Sequence, residues 1–178
     1  MNDEIECTLL GLALLMAQKV EFALYGIVAH ISNRDKKFKN LTPETFLRGD
    51  LSDLKATLGQ LKNYAGDKLL LSNNELQDFV DKRNLLVHNY WRLTKANIKN
   101  GETLPNPEQF LSNFIDECQR WMNILNGYIK ILMQRIAEVE NRTNEINFGE
   151  KEQQEMEVYI DHVYKNRENI NLGNNSNS

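Results

Sequence analysis

Cysteine, proline and glycine are scarce in this 178-residue chain, and each scarcity removes a class of protein. The two cysteines, Cys7 and Cys118, lie far apart with no metal-ligand spacing around either, which argues for two reduced, packed thiols over a disulfide framework. Three prolines and nine glycines are too few for a strand-and-turn architecture, and nothing alternates like a strand. The chain has no glycine-rich phosphate loop, no Ser or Cys nucleophile in a recognisable setting and no Cys/His zinc pattern. Positive charge is not in excess either: 21 Lys and Arg against 25 Asp and Glu leave a net charge of −4. That balance argues against indiscriminate coating of nucleic acid, which takes a basic domain, while leaving room for a local basic site.

Long apolar runs are missing too. The N-terminus opens Met1-Asn2-Asp3-Glu4, acidic where a signal peptide carries positive charge. The apolar run at 9–17 is about nine residues long, against roughly 20 needed to cross a bilayer, and Gln18, Lys19 and Glu21 interrupt it. These features predict a soluble, cytoplasmic protein with no membrane partner.

What is present is helical periodicity. Residues 4–33 carry Leu9, Leu12, Ala13, Met16, Val20, Ala23, Ile27 and Ile31 at three- and four-residue intervals. That segment is apolar on more than one side, through Leu10, Leu14, Leu15, Phe22, Leu24 and Val28, which predicts several neighbours, a second chain among them. A charged loop, 33–40, follows. Thr42-Pro43-Glu44 reads as a helix start. Gly49 is a break, Asp50 or Ser52 caps the next helix, and Gly66 ends it. Ser72 to Asn74 offer caps for a long helix from 75 to about 97. Residues 97–107 form a break, and the longest helix runs from Pro107 to about Arg142. The expected architecture is an all-α, up-and-down bundle of four to five helices over 1–145. A charged helical tail at 146–168 and a disordered, Asn- and Ser-rich C-terminus at 169–178 complete it. The tail reads as solvated, with a thin apolar ridge through Tyr159 and Val163 that can dock on a partner or on the chain's own body.

One position breaks the pattern. On a wheel of residues 75–95, Leu76, Phe79, Val80, Leu86, Val87, Tyr90, Trp91 and Leu93 share an arc roughly 160° wide, with Arg83 near its middle. A guanidinium is almost never buried alone. Three explanations stay open: Arg83 reaches solvent along its stem, pairs with a carboxylate on another helix such as Glu21, or lines a crevice that takes an anion. Asn84 and His88 are four apart, on one helical face, close enough to hydrogen-bond. Arg holds phosphate through two oxygens, Asn orients an imidazole and His moves protons near neutral pH. No other part of the chain assembles such a set.

The segment Phe79-Val80-Asp81-Lys82-Arg83-Asn84-Leu85-Leu86-Val87-His88-Asn89-Tyr90-Trp91 resembles the signature of the HEPN superfamily, an Arg, a polar residue, three more residues and a His on a late helix of a helical bundle. Asn89-Tyr90 extends the likeness to the longer Arg…His-x-Tyr form of HepT-type toxins. The resemblance implies a metal-independent endoribonuclease without cofactor, a toxin or antiviral-defence effector cutting an RNA substrate to a 2′,3′-cyclic phosphate. It implies His88 as general acid or base, Arg83 stabilising phosphate charge, and Asn84 holding the imidazole. One His per chain is too few for two proton transfers, so a composite site across a homodimer is implied. Tyr90 becomes a substrate-binding or regulatory residue, the position that a nucleotidyltransferase partner adenylylates in HepT toxins, where an antitoxin restrains the enzyme. The competing expectation is a catalytically silent bundle of this type that binds nucleotide, RNA or protein.

Plainer expectations attach to the rest. Tyr90 and Trp91 suit a core or a dimer interface better than a base-stacking platform. His30 suits a hydrogen-bonded helix C-terminus. His162 suits solvent and is a poor metal ligand. Arg34 to Lys39 suit a soluble loop able to steer RNA. Glu44 and Glu108 suit helix first turns.

Overall fold

Scarce proline and glycine, with three- to four-residue apolar spacing, leave helices as the way to pair the backbone, and every regular element among the described residues is helical. The computed structural model describes residues 3–31, 58–96 and 101–175. Helix α1 spans Asp3–Ile31, α2 Leu58–Lys68 and α3 Asn73–Asn84. A π-helical turn, Leu85–Asn89, joins α3 to the short α4, Tyr90–Thr94. Helix α5, Pro107–Val139, leads through a 3-10 turn, Thr143–Glu145, to α6, Glu150–Asn175. The expected loop 33–40, the start at Thr42-Pro43-Glu44, the break at Gly49 and the caps Asp50 and Ser52 lie outside the described residues.

Local chemistry sets the helix ends. Asn106 caps α5, its side-chain oxygen accepting the Gln109 N–H at 3.2 Å, with Pro107 in the first turn. Ser72 caps α3 by accepting the Glu75 N–H. Helix α2 runs two residues beyond Gly66, and the left-handed residue in the turn is Leu70, at φ 55°. Leu there costs about 1 kcal/mol or more, offset by the closing bond from Leu71 N–H to the Gly66 carbonyl at 2.9 Å.

The core lies between α1, α3 and α5. Val20, Leu24 and Val28 meet Leu76, Phe79, Phe114, Trp121 and Leu125, all buried. The Phe79 and Phe114 rings stack at 5.5 Å, with Trp121 tilted on Phe79 at 6.4 Å. Each such burial contributes roughly 1.5–3 kcal/mol. Exposed on α1 are Leu12, Leu15 and Phe22. By length and composition α1 could also cross a membrane, a test that the core helix of a soluble protein passes as well.

The tail is part of the bundle. Tyr159 Oη donates to the Leu69 carbonyl at 2.9 Å, His162 Nε2 accepts the Ser72 N–H at 3.2 Å, and Asn166 Nδ2 donates to the Leu70 carbonyl at 3.2 Å. These three lie on one helical face, so α6 grips the turn that launches α3. Gly127 permits the approach of α6 to α5, since an added Cβ would sit 2.0 Å from the Glu155 carbonyl oxygen. His162, expected in solvent, is buried, with its ring edge-on to Trp121 at 5.5 Å. Its exposed neighbour Asp161 advertised solvent, but on a helix the next residue points about 100° away. Burial lowers the His162 pKa. The helix continues to Asn175, into the stretch that composition assigned to disorder. An anchored helix adds one hydrogen bond per further residue without a new nucleus.

Candidate functional site

Arg83 stands near the end of α3, half-buried, with Nη2 3.2 Å from Glu21 Oε2 of α1. Of the three explanations the sequence left open, pairing with a carboxylate on another helix is the one adopted. Nη1 also donates to Asn84 Oδ1 at 3.2 Å, so Asn84 steadies the guanidinium, not the imidazole. Tyr25, one turn along α1 from Glu21, is buried beside this pair, and its phenol pKa is raised by burial and by the Glu21 charge.

Between Arg83 and His88 the helix widens. The π turn Leu85–Asn89 inserts one residue into the α-helical winding and sets back all that follows by about 100°. Val87 and Trp91, placed by the straight-helix wheel on the apolar arc, are 45% and 70% exposed, while Leu86 and Tyr90 are buried. Arg83 and His88, about 140° apart on an unbroken α-helix, are brought nearer in azimuth. The His88 imidazole is exposed and has no hydrogen-bond partner among the described residues.

Tyr90 is buried, and its hydroxyl donates to Glu6 Oε1 of α1 at 3.0 Å. Burial first, and then the Glu6 carboxylate, raise its pKa far above the usual phenol range. Glu6 is itself buried and accepts Lys95 Nζ at 2.7 Å on its other oxygen. Two carboxylates of α1 thus hold the flanks of the π turn, Glu21 at Arg83 before it and Glu6 at Tyr90 beyond it. Beside Tyr90 opens a pocket of about 590 Å³ between the first turns of α1 and the π turn with α4. His88 and Trp91 are on its wall, while Arg83 and Asn84 are outside it.

Other candidates take ordinary roles. His30 Nδ1 lies 2.7 Å from the Gly26 carbonyl in the last turn of α1. Glu108 is in the first turn of α5. Cys7 is exposed at the pocket and Cys118 is buried, its thiol pKa pushed up to about 12 by burial. No group of three or more metal-ligating side chains occurs among the described residues. Glu44 and 34–39 lie outside those residues.

Sequence reasoning missed Glu6, Lys95 and the pocket. Glu6 carries the first-turn signature of an acidic helix start, which hides a partner 84 residues away.

Compared with protein-family profiles, curated proteins and solved structures, the chain matches none.

Proposed function

We propose that this chain is a metal-independent endoribonuclease of the HEPN type, acting as a homodimer in toxin or antiviral-defence roles. The observation that carries the reading is the π turn: it begins two residues after Arg83, carries His88 within it, and leaves that imidazole exposed with no hydrogen-bond partner among the described residues. Such turns concentrate at functional sites, because the widened helix is less stable than an α-helix.

In the proposed reaction one imidazole takes the proton of a ribose 2′-OH as that oxygen attacks the adjacent phosphorus. The bond from phosphorus to the 5′-oxygen breaks, and a second imidazole gives that oxygen its proton. The products are a 2′,3′-cyclic phosphate and a free 5′-hydroxyl. Arg83 neutralises the charge that builds on the non-bridging oxygens. It must exchange part of its Glu21 contact for phosphate to do so. The second His88 comes from the partner protomer, and the exposed Leu12 and Leu15 of α1 supply apolar surface for that association. Adenylylation of Tyr90 requires release of its hydroxyl from Glu6.

A second reading has its own support. Because Arg83 already has a carboxylate partner, it can be a structural cation, and the bundle then only binds nucleotide, RNA or protein. Cleavage of total RNA in EDTA, beside folded dimers of Arg83→Ala and His88→Ala, separates the two. Cyclic-phosphate ends lost in both variants establish the nuclease. No cleavage by the intact dimer leaves the binding module, and cleavage persisting in both variants moves the site elsewhere.

A further inference from the structure

We infer that the pocket beside His88 is a nucleobase site that selects bases carrying an exocyclic amine. The inference deepens the ribonuclease reading, and rests on it only for the strand being RNA.

The site is built from three kinds of surface. Leu10, Leu86 and Val87 line it with apolar atoms, and the ring of Tyr90 faces it while its hydroxyl is engaged by Glu6. Trp91 contributes an indole that is 70% exposed, an unusual position for the largest side chain in a protein that buries its other tryptophan completely. An exposed indole flanking a cavity of about 590 Å³ is a stacking surface for a planar ring, and stacking tolerates every base.

The third surface supplies discrimination. Asp3 and Glu6 bring two carboxylates to the pocket, against the single ammonium of Lys95 that both share, at 3.3 and 2.7 Å. Each carboxylate has about four acceptor positions, so capacity remains after Lys95 and Tyr90 are served. An acceptor-rich, net negative rim repels a phosphate and welcomes an exocyclic amine. Guanine, cytosine and adenine offer one, whereas the single edge donor of uracil, N3–H, is flanked by two carbonyl oxygens that a carboxylate repels. Glu and Asp read cytosine N4 in this way in nucleic-acid complexes. A strand would therefore seat a base against Trp91 and leave its phosphate outside, toward His88 on the pocket wall. Single-stranded RNA is commonly read through such unstacked bases.

The test is a titration of the full-length chain with GMP, CMP and UMP, following tryptophan emission. The chain has two tryptophans and Trp121 is fully buried, so a surface ligand reports on Trp91. The expected result is saturable quenching by GMP and CMP, about tenfold tighter than by UMP, as a charge-assisted hydrogen bond provides. Quenching should vanish in Trp91→Leu. The preference over UMP should shrink in Asp3→Asn, a change at an exposed residue that does not threaten the fold. Absence of saturable quenching, or UMP binding as tightly as CMP in the wild type, overturns the inference. So does dissociation of a dimer into monomers by Trp91→Leu in sedimentation, which would make the face a subunit contact. Saturable quenching without RNA cleavage removes the nuclease and keeps the base site. Undiminished cleavage by Trp91→Leu keeps the nuclease and removes the base site.

Discussion

Glu21 of α1 and Arg83 of α3 are joined at 3.2 Å across 62 residues of chain, each side chain about a fifth to a quarter exposed. The pair anchors the helix just before its π turn. It also means that the two residues of the Arg-Asn-x3-His motif answer to mutation differently.

His88→Ala removes an exposed side chain with no partner among the described residues, so melting temperature should stay within about 1 °C while RNA cleavage falls roughly 10²–10⁴-fold. Arg83→Ala should lose cleavage and also destabilise by about 1–2 kcal/mol. It strands the Glu21 carboxylate, though partial exposure keeps the penalty below that of a fully buried pair. Thermal melts set beside cleavage assays on both variants check the contrast. Equal destabilisation by both changes would contradict the assigned contacts.

Deleting Val87, an exposed residue within the π turn, should let the segment relax to a plain α-helix, since the turn is one inserted residue. The flanks keep their phase, so Arg83 and Tyr90 keep Glu21 and Glu6. Far-UV circular dichroism and melting temperature should hold or rise, while cleavage drops at least about tenfold because His88 changes azimuth. A deletion variant that cleaves normally would remove the π turn from the mechanism.

Acid should loosen α6 through His162. The neutral imidazole accepts the Ser72 N–H, burial lowers its pKa, and it is faced by Glu75 and Arg120 and by Lys165 of its own helix. With the folded pKa below the unfolded one, the contribution is complete above the ordinary value of 6.5 and is lost as pH falls beneath it. The slope is at most about 1.4 kcal/mol per pH unit. Denaturant midpoints between pH 8 and about pH 5 should therefore fall more steeply in the wild type than in His162→Gln. Parallel profiles would mean that other groups dominate.

Gly127→Ala should push α6 off α5. The added methyl meets backbone, the Glu155 carbonyl at 2.0 Å, which cannot swing aside as a side chain can. Destabilisation of about 1–3 kcal/mol is expected, as for other overpacked sites. The Asn126–Glu155 contact at 3.1 Å should loosen with it. Hydrogen exchange at the α6 amides reads the change directly.

Much of this architecture was legible in the chain. Scarce proline and glycine, apolar spacing at three and four residues, a cap at Ser72 and a helix start at Pro107 call for helices with nearly the ends that they have, because those signals are local and a helix is a local structure. The same spacing singled out Arg83 as a charge in an apolar arc and offered Glu21 among its partners.

What tertiary structure decided is everything that depends on a second element. His162 and Asp161 are adjacent and polar, and only the docking of α6 on the α2–α3 turn sorts one into the core and the other into water. Glu6 lies in the first turn of α1, and only the packed bundle brings Tyr90 and Lys95 to it. The π turn is the sharpest case. Each residue of Leu85–Asn89 is compatible with an α-helix, and the two flanks of the widened winding are held from another helix by Glu21 and Glu6. Sequence thus determined that these residues are helical and which of them are chemically suited to a site. The azimuth at which His88 and Trp91 face solvent is a property of the packed bundle, since an inserted residue has no signature in local propensity and its flanks are held by contacts far along the chain.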